Sequence, residues 1–264
     1  MRCGHRASYW ITLAALIGVV ATRAVAADPE EAFPHAQAGL QPTRPDFMFG
    51  QPRLSVSVRA AWLMPREGGD LFVFVREQLT IDHGDFRTPA VTGDLGFTMT
   101  SRLSLLAGLE LSRASVASEY RHFIGSDGLP IAQETTLRTV GIHASLKFAL
   151  MNSGRRVSRF AWIPRTVTPF VGAGGDITEY SFRQTGEFVD FVDLSIFPHR
   201  FSSTGWGQGG HVFGGADIRA WRNVYFTAQG RYVWAHAHLG PDFVDFAGID
   251  LSGFRMESGV NLVF

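Results

Sequence analysis

The chain has 264 residues, with 24 basic against 24 acidic side chains, 29 glycines, 12% aromatics and a single cysteine. A balanced charge gives no footing for nucleic-acid binding, and lone Cys3 excludes a disulfide framework. Beyond the first residues no apolar run reaches the roughly 20 residues of a spanning helix, so a passage through a bilayer would have to be made by strands closed into a barrel.

Arg2, His5 and Arg6 precede an apolar run from Tyr9 to Ala21, and Ala24-Val25-Ala26 offers a small-residue cleavage site. This predicts an export signal over residues 1–26. A membrane anchor is the alternative, but the run is short and Arg23 interrupts its end. Cleavage removes Cys3, Arg2, Arg6 and Arg23, leaving 21 basic against 24 acidic residues, a net charge of −3. Residues 27–52 hold Pro29, Pro34, Pro42, Pro45 and Pro52 and read as a non-strand periplasmic leader, either flexible or packed on the barrel base through Phe47, Met48 and Phe49.

From residue 53 the pattern has period two. Over Arg53–Met64, Leu54, Val56, Val58, Ala60 and Trp62 alternate with Ser55, Ser57, Arg59 and Ala61. Similar runs follow at Thr88–Thr100, Arg102–Ser115, Glu134–Leu150, Arg165–Arg183, Trp206–Trp221, Val224–His236 and Ile249–Phe264. Each is long enough for a tilted spanning strand. The connections alternate. Ser101 and Arg222-Asn223 are short turns, whereas 65–87, 116–133, 184–205 and 237–248 are long. Short periplasmic turns and long outer loops are the rhythm of an outer-membrane barrel. The linker Met151–Pro164 is too long for a turn, and an interfacial segment with Trp162 at headgroup level is the expectation there.

The last strand puts Phe254, Met256, Val260, Leu262 and Phe264 on one face and Arg255, Glu257 and Asn261 on the other. With the signal peptide, eight alternating strands, the Thr168–Gly175 sequence TPFVGAGG and the closing NLVF, residues 53–264 resemble the small outer-membrane barrels of the OmpA/OmpX/OmpW kind. The resemblance implies an all-β, eight-stranded antiparallel up-and-down transmembrane β-barrel with long extracellular loops. It also implies an outer-membrane location, recognition of Val260, Leu262 and Phe264 by the barrel assembly machinery, pairing of the last strand with the first, and a monomer. The soluble domain that often follows an OmpA-type barrel is not expected. A soluble lipocalin-like barrel is the alternative fold, with the oily face inside.

The non-lipid face gathers Arg59, Lys147, Arg219, Arg231 and Arg255 against Asp94, Glu110, Asp176, Asp217 and Glu257. An eight-stranded interior is just wide enough for side chains, and buried charges must be paired. A salt-bridged plug is expected, with a narrow gated pore as the alternative. His143 and Ser145, with Glu110 on the neighbouring strand, are similar to the Ser/His/Glu set of lipid A deacylases. They face the interior, however, where an acyl chain has no easy access, so no enzyme is expected. The tetrad Phe-Val-Asp-Phe occurs twice, at Phe188–Phe191 and Phe243–Phe246, with Phe72-Val73-Phe74-Val75 as a looser echo. Phe188, Phe191, Phe243 and Phe246 form a loop cap, an apolar surface for an extracellular ligand or partner, or part of a barrel wall raised by strands that extend past the membrane. Uptake of small apolar molecules, as proposed for OmpW-like barrels, is the runner-up. His199, His236 and His238 with Asp190, Asp193, Asp242 and Asp245 give only a weak metal pattern, and no cofactor is expected. Arg121, Arg138 and Arg200 suit contact with lipopolysaccharide phosphates.

Overall fold

The computed structural model describes residues 47–125, 128–158 and 160–264. The export signal and residues 27–46 of the leader lie outside the described residues. Eight long strands form the barrel, β1 (Leu54–Pro65), β2 (Thr88–Thr98), β3 (Leu103–Ile124), β4 (Pro130–Ala149), β5 (Val167–Val189), β6 (Ile196–Arg219), β7 (Val224–Ala237) and β8 (Gly253–Val263), and the two-residue strand Ile249–Asp250 adds to the end of β7. Each pairs antiparallel with the next, and β8 returns to β1, so the ring is closed. Met256 faces Trp62 and Leu262 faces Val56 across this seam. The Phe264 N–H donates to the Leu54 carbonyl (2.8 Å), and the Arg53 N–H donates to the Phe264 carbonyl (2.8 Å). Closure satisfies every edge, which a bilayer demands.

The pleat decides what each face meets. Leu54 (57%) and Val58 (59%) are exposed on the outside while Ser57 and Arg59 are buried within. The oily face therefore points outward, and the lipocalin-like alternative is excluded. Trp62, Trp206 and Trp234 are exposed toward one end of the wall, and Phe97, Phe148 and Phe226 toward the other. Phe226 to Trp234 is nine residues, the length a tilted strand needs to cross the hydrocarbon.

Three expectations are corrected. The second and third long connections, 116–133 and 184–205, are mostly wall: β3, β4, β5 and β6 run on past the membrane, leaving only short turns at their tips. The first connection contains a helix, α1 (Asp70–Gln78), rather than an irregular loop. Leu71, Phe72 and Val75 bury one helical face, with acidic Asp70 in the first turn and basic Arg76 in the last. Finally, the 151–164 linker is a small sheet. Gly154–Arg156 pairs with Ala161–Pro164, which also pairs with Met48–Phe49 from the supposed non-strand leader. Trp162 is 4% exposed, not spread at headgroup level. Its position is fixed by register: it lies opposite Met48, also buried.

Candidate functional site: an ion-paired interior beneath an aromatic cap

The mid-barrel interior is a connected set of ion pairs. Arg59 Nε donates to Glu257 Oε2 (2.8 Å), and Arg59 Nη2 meets Asp94 Oδ2 (2.5 Å). Ser57 Oγ bridges, accepting from Arg59 and donating to Asp94. Arg231 reaches Glu257 (2.9 Å) and, at 3.7 Å, Glu110, to which Arg255 Nε also donates (2.9 Å). Gln229 completes the shell of Glu257 (2.9 Å). These groups come from β1, β2, β3, β7 and β8, so opposite walls are tied across the lumen. Nearer the short-turn end, Lys147 Nζ donates to Asp217 (2.6 Å) and sits 3.8 Å from the centre of the Phe170 ring. Arg219 stands at the end of β6, where its Nε donates to the Trp221 carbonyl (3.2 Å).

The histidines are arranged differently from the expected His143–Ser145–Glu110 set. His143 Nε2 donates to Asp94 Oδ1 (2.6 Å). Ser145 instead meets His211 Nε2 (2.8 Å), and His211 Nδ1 donates to Asp176 Oδ2 (2.5 Å). With Nδ1–H committed to the carboxylate, a neutral ring accepts from the serine. Residue order resembles a nucleophile–base–orienter relay. Ser145 and His211 are buried, and a Cβ on Gly174 would lie 2.7 Å from the His211 ring. His211 was missed because β6 is glycine-rich there and single-strand spacing carries no information on what lies across two strands.

Above the ion pairs the same interior positions turn apolar. Leu71, Phe72, Val75, Leu79, Ile81, Phe86, Leu137, Tyr180, Phe182, Phe243 and Ile249 form one buried cluster. Phe72 stands edge-on to Phe86 (5.5 Å) and Phe182 (6.5 Å), and Phe182 to Phe243 (5.5 Å). The Tyr180 hydroxyl is satisfied by the His238 carbonyl and Ser203. The two Phe-Val-Asp-Phe tetrads behave alike. Phe188, at the end of β5, and Phe243 are buried. The second phenylalanines stay near the rim. Phe191 (52% exposed) packs against Phe74 and Phe123, and Phe246 against Phe74. Between them opens a cleft of about 190 Å³, walled by Phe74, Leu79, Tyr120, Phe191, Phe201 and Phe246. The aromatics sequence reasoning missed are Phe86, Phe182 and Phe201.

At the other mouth a chamber of about 110 Å³, lined by Ser55, Lys147, Thr168, Asp217 and Thr227, is floored by Trp162. Among the described residues no group of three or more His, Cys, Asp or Glu is placed to hold a metal ion. His199 stacks near Phe201 (4.5 Å), and His236 lies 3.8 Å from Asp250. Arg121 donates to the Leu79 carbonyl (2.6 Å) and Asp82 (3.0 Å), bracing the first connection, whereas Arg138 and Arg200 are exposed. Val260 and Leu262 face outward in the seam and Phe264 is exposed at its end.

No family model and no curated protein sequence matches the chain. Solved structures do. The outer membrane protein OprG from Pseudomonas aeruginosa aligns over 82% of this chain and 98% of its own, with a TM-score of 0.51 and 10% identity. Neisserial surface protein A aligns over 80% and 97%, at 0.44 and 14%. Outer membrane protein AlkL aligns over 89% and 97%, at 0.38 and 14%. With the closed ring and its outward apolar band, the likeness to OprG gives the chain the fold of a small, eight-stranded outer-membrane β-barrel.

Proposed function

We propose that this barrel is a non-enzymatic surface-interaction protein: shut to water at mid-membrane, it engages an apolar ligand or apolar partner segment in its extracellular aromatic cleft. The observation that carries this reading is the cleft among Phe74, Phe191, Phe201 and Phe246, raised above the membrane on extended strands and seated on a buried apolar cluster. Concave, mostly apolar pockets with few polar groups are the usual form of a small-ligand site. Support for the closed interior comes from Arg59, Arg231 and Glu257, which fill the lumen as a connected ion-pair set. Support for the absence of catalysis comes from Ser145, His211 and Asp176, none of which lines the aromatic cleft or the inner chamber.

The test is a titration of reconstituted protein with an environment-sensitive apolar fluorophore, alongside planar-bilayer recording. Phe191→Ala with Phe246→Ala should weaken fluorophore binding about tenfold or more, as loss of two aromatic contacts implies. The wild-type protein should be electrically silent, and Ser145 should not react with a fluorophosphonate. Binding indifferent to both phenylalanines, or steady conductance, would sink the proposal.

A second reading is favoured by one feature. A cavity of about 40 Å³ below the cap touches Phe86 and Leu137 on one side and Met64 and Phe254 at the β1–β8 wall on the other. An apolar solute taken up at the cap would leave toward lipid if the wall opened at this cavity. Faster entry of an apolar fluorophore into vesicles carrying the protein, slowed by Leu137→Trp, distinguishes this transport reading from binding alone.

A further inference from the structure

Among the described residues, the turns and the linker at the short-turn end of the barrel carry one sign of charge. Arg53, Arg102, Arg155, Arg156, Arg165 and Arg222 lie there, and no Asp or Glu occurs in residues 47–53, 99–103, 150–166 or 219–224. The first connection at the far end alone holds Glu67, Asp70, Glu77, Asp82 and Asp85. A groove of about 880 Å³ gathers Arg155, Arg156 and Arg165 with Asn152, Gln51 and Ile163. Among the described residues neither Arg155 nor Arg156 meets an acidic side chain, and Arg165 Nη1 lies 3.5 Å from Met151 Sδ. Three guanidinium groups on one groove repel one another unless an anion joins them.

The groove is built, not incidental. Gly154 is required in its wall, since a Cβ there would sit 2.5 Å from the Ile163 carbonyl and 2.6 Å from the Trp162 ring. Trp162, buried against the inner chamber, anchors the small sheet from behind. The outward face is apolar as well as basic. Ile163 lies directly across from Arg155, and Phe49 (79% exposed), Met151 and Val157 are exposed close by in the same segments. Guanidinium forks suit phosphate oxygens, and exposed apolar neighbours suit acyl chains. A carboxylate-bearing cell-wall polymer satisfies the arginines but leaves the apolar groups in water.

We infer that this groove binds the phosphate of an anionic glycerophospholipid from the periplasmic leaflet. Its short-turn position places it at that leaflet's headgroups. The inference does not depend on what the aromatic cleft binds.

The experiment uses the full protein in nanodiscs of phosphatidylethanolamine with a minor fraction of phosphatidylglycerol. Phosphatidylglycerol retained after mild detergent extraction is counted by native mass spectrometry. R155Q/R156Q/R165Q should weaken retention by about a hundredfold, as three lost basic contacts imply. R138Q/R183Q, at the far end, should leave it unchanged. Equal retention in the triple variant overturns the proposal. So does equal loss in the far-end variant, which reports net charge alone. Arginine-dependent sedimentation with cell-wall sacculi, with lipid retention unaffected, also overturns it in favour of the wall. Should the triple variant fail the heat-modifiable mobility test of folding, wild-type retention in molar salt decides. Indifference to salt rejects the site, and loss supports it.

Discussion

Following one strand upward compares two regions of this barrel on the same inward-facing positions. On β4, Lys147, Ser145 and His143 face the lumen while Leu146 and Ile142 face lipid; further along, Leu137, Thr135 and Ile131 face inward while Arg138 and Glu134 are exposed. On β5, Asp176 faces in and Ile177 out; then Tyr180 and Phe182 face in and Glu179 and Arg183 out. β3 makes the same switch between Leu111 and Arg113. The pleat never changes. The solvent outside does. In lipid, the polar groups have only the lumen, whereas above the membrane water wets the outer face and apolar groups gather within. The level of the switch marks the outer interface, and Trp62, Trp206 and Trp234 stand near it.

The two regions should fail differently. Glu257 accepts from Arg59, Arg231 and Gln229, so Glu257→Ala leaves two buried cations without their counter-charge. Losing one partner of a buried pair costs about 3–5 kcal/mol. The expected outcome is a lower urea midpoint for the whole barrel, followed by tryptophan fluorescence. Phe182→Ala removes a ring packed on Phe72 and Phe243, at a cost of about 3 kcal/mol. This loss should stay local. Hydrogen exchange should quicken in α1 and the 237–252 connection while the barrel midpoint moves little. A global midpoint shift as large as that of Glu257→Ala would show that cap and plug unfold as one unit.

The same switch explains what the sequence could and could not convey. Within the membrane, alternation was unambiguous, so all eight strands and the β8–β1 seam were legible. The upper halves of β3 to β6 were not, because inverted alternation with Phe188 and Phe201 inward reads as a loop with stray aromatics. α1 was hidden for another reason. Phe72-Val73-Phe74-Val75 has strand propensity and period-two spacing, and only burial of Leu71, Phe72 and Val75 against the barrel roof makes it helical. Who pairs with whom was also illegible. Ser145 meeting His211 rather than His143 depends on the register of β4, β5 and β6, which one chain's spacing does not contain.

Beneath the plug, the 151–164 sheet gives a smaller effect that tests whether the lower region extends to it. Gly154→Ala would crowd Trp162, and overpacking of this kind costs about 1–3 kcal/mol. Displaced from the inner mouth, Trp162 should become quenchable by acrylamide, with the urea midpoint of the barrel nearly unchanged. Unaltered quenching would mean that the sheet yields instead of the ring, and that Trp162 is held by the chamber more than by its own hairpin.

The smallest effect concerns how the cap is fastened. Asp70 opens α1, and its carboxylate accepts from the Ala247 N–H (2.8 Å) and the Leu71 N–H (3.0 Å), tying the first connection to the last. The Ala247 hydrogen bond first, against an opposing desolvation and with help from the Leu71 bond, holds Asp70 below the usual carboxylate value. A lowered folded pKa means that the folded state prefers the ionised form. The contribution is therefore complete above the ordinary aspartate value near ~3.9 and is lost as pH falls through the folded value below it. Since Asp70 is fully exposed, the effect is modest. Proteolysis of the 237–252 connection should be constant from neutral pH down to that value, then rise in more acidic solution with an acid-stable protease. Asp70→Asn should raise cleavage at neutral pH and flatten the acid response. A wild-type response centred near neutral pH would instead show that Asp70 is not the fastening group.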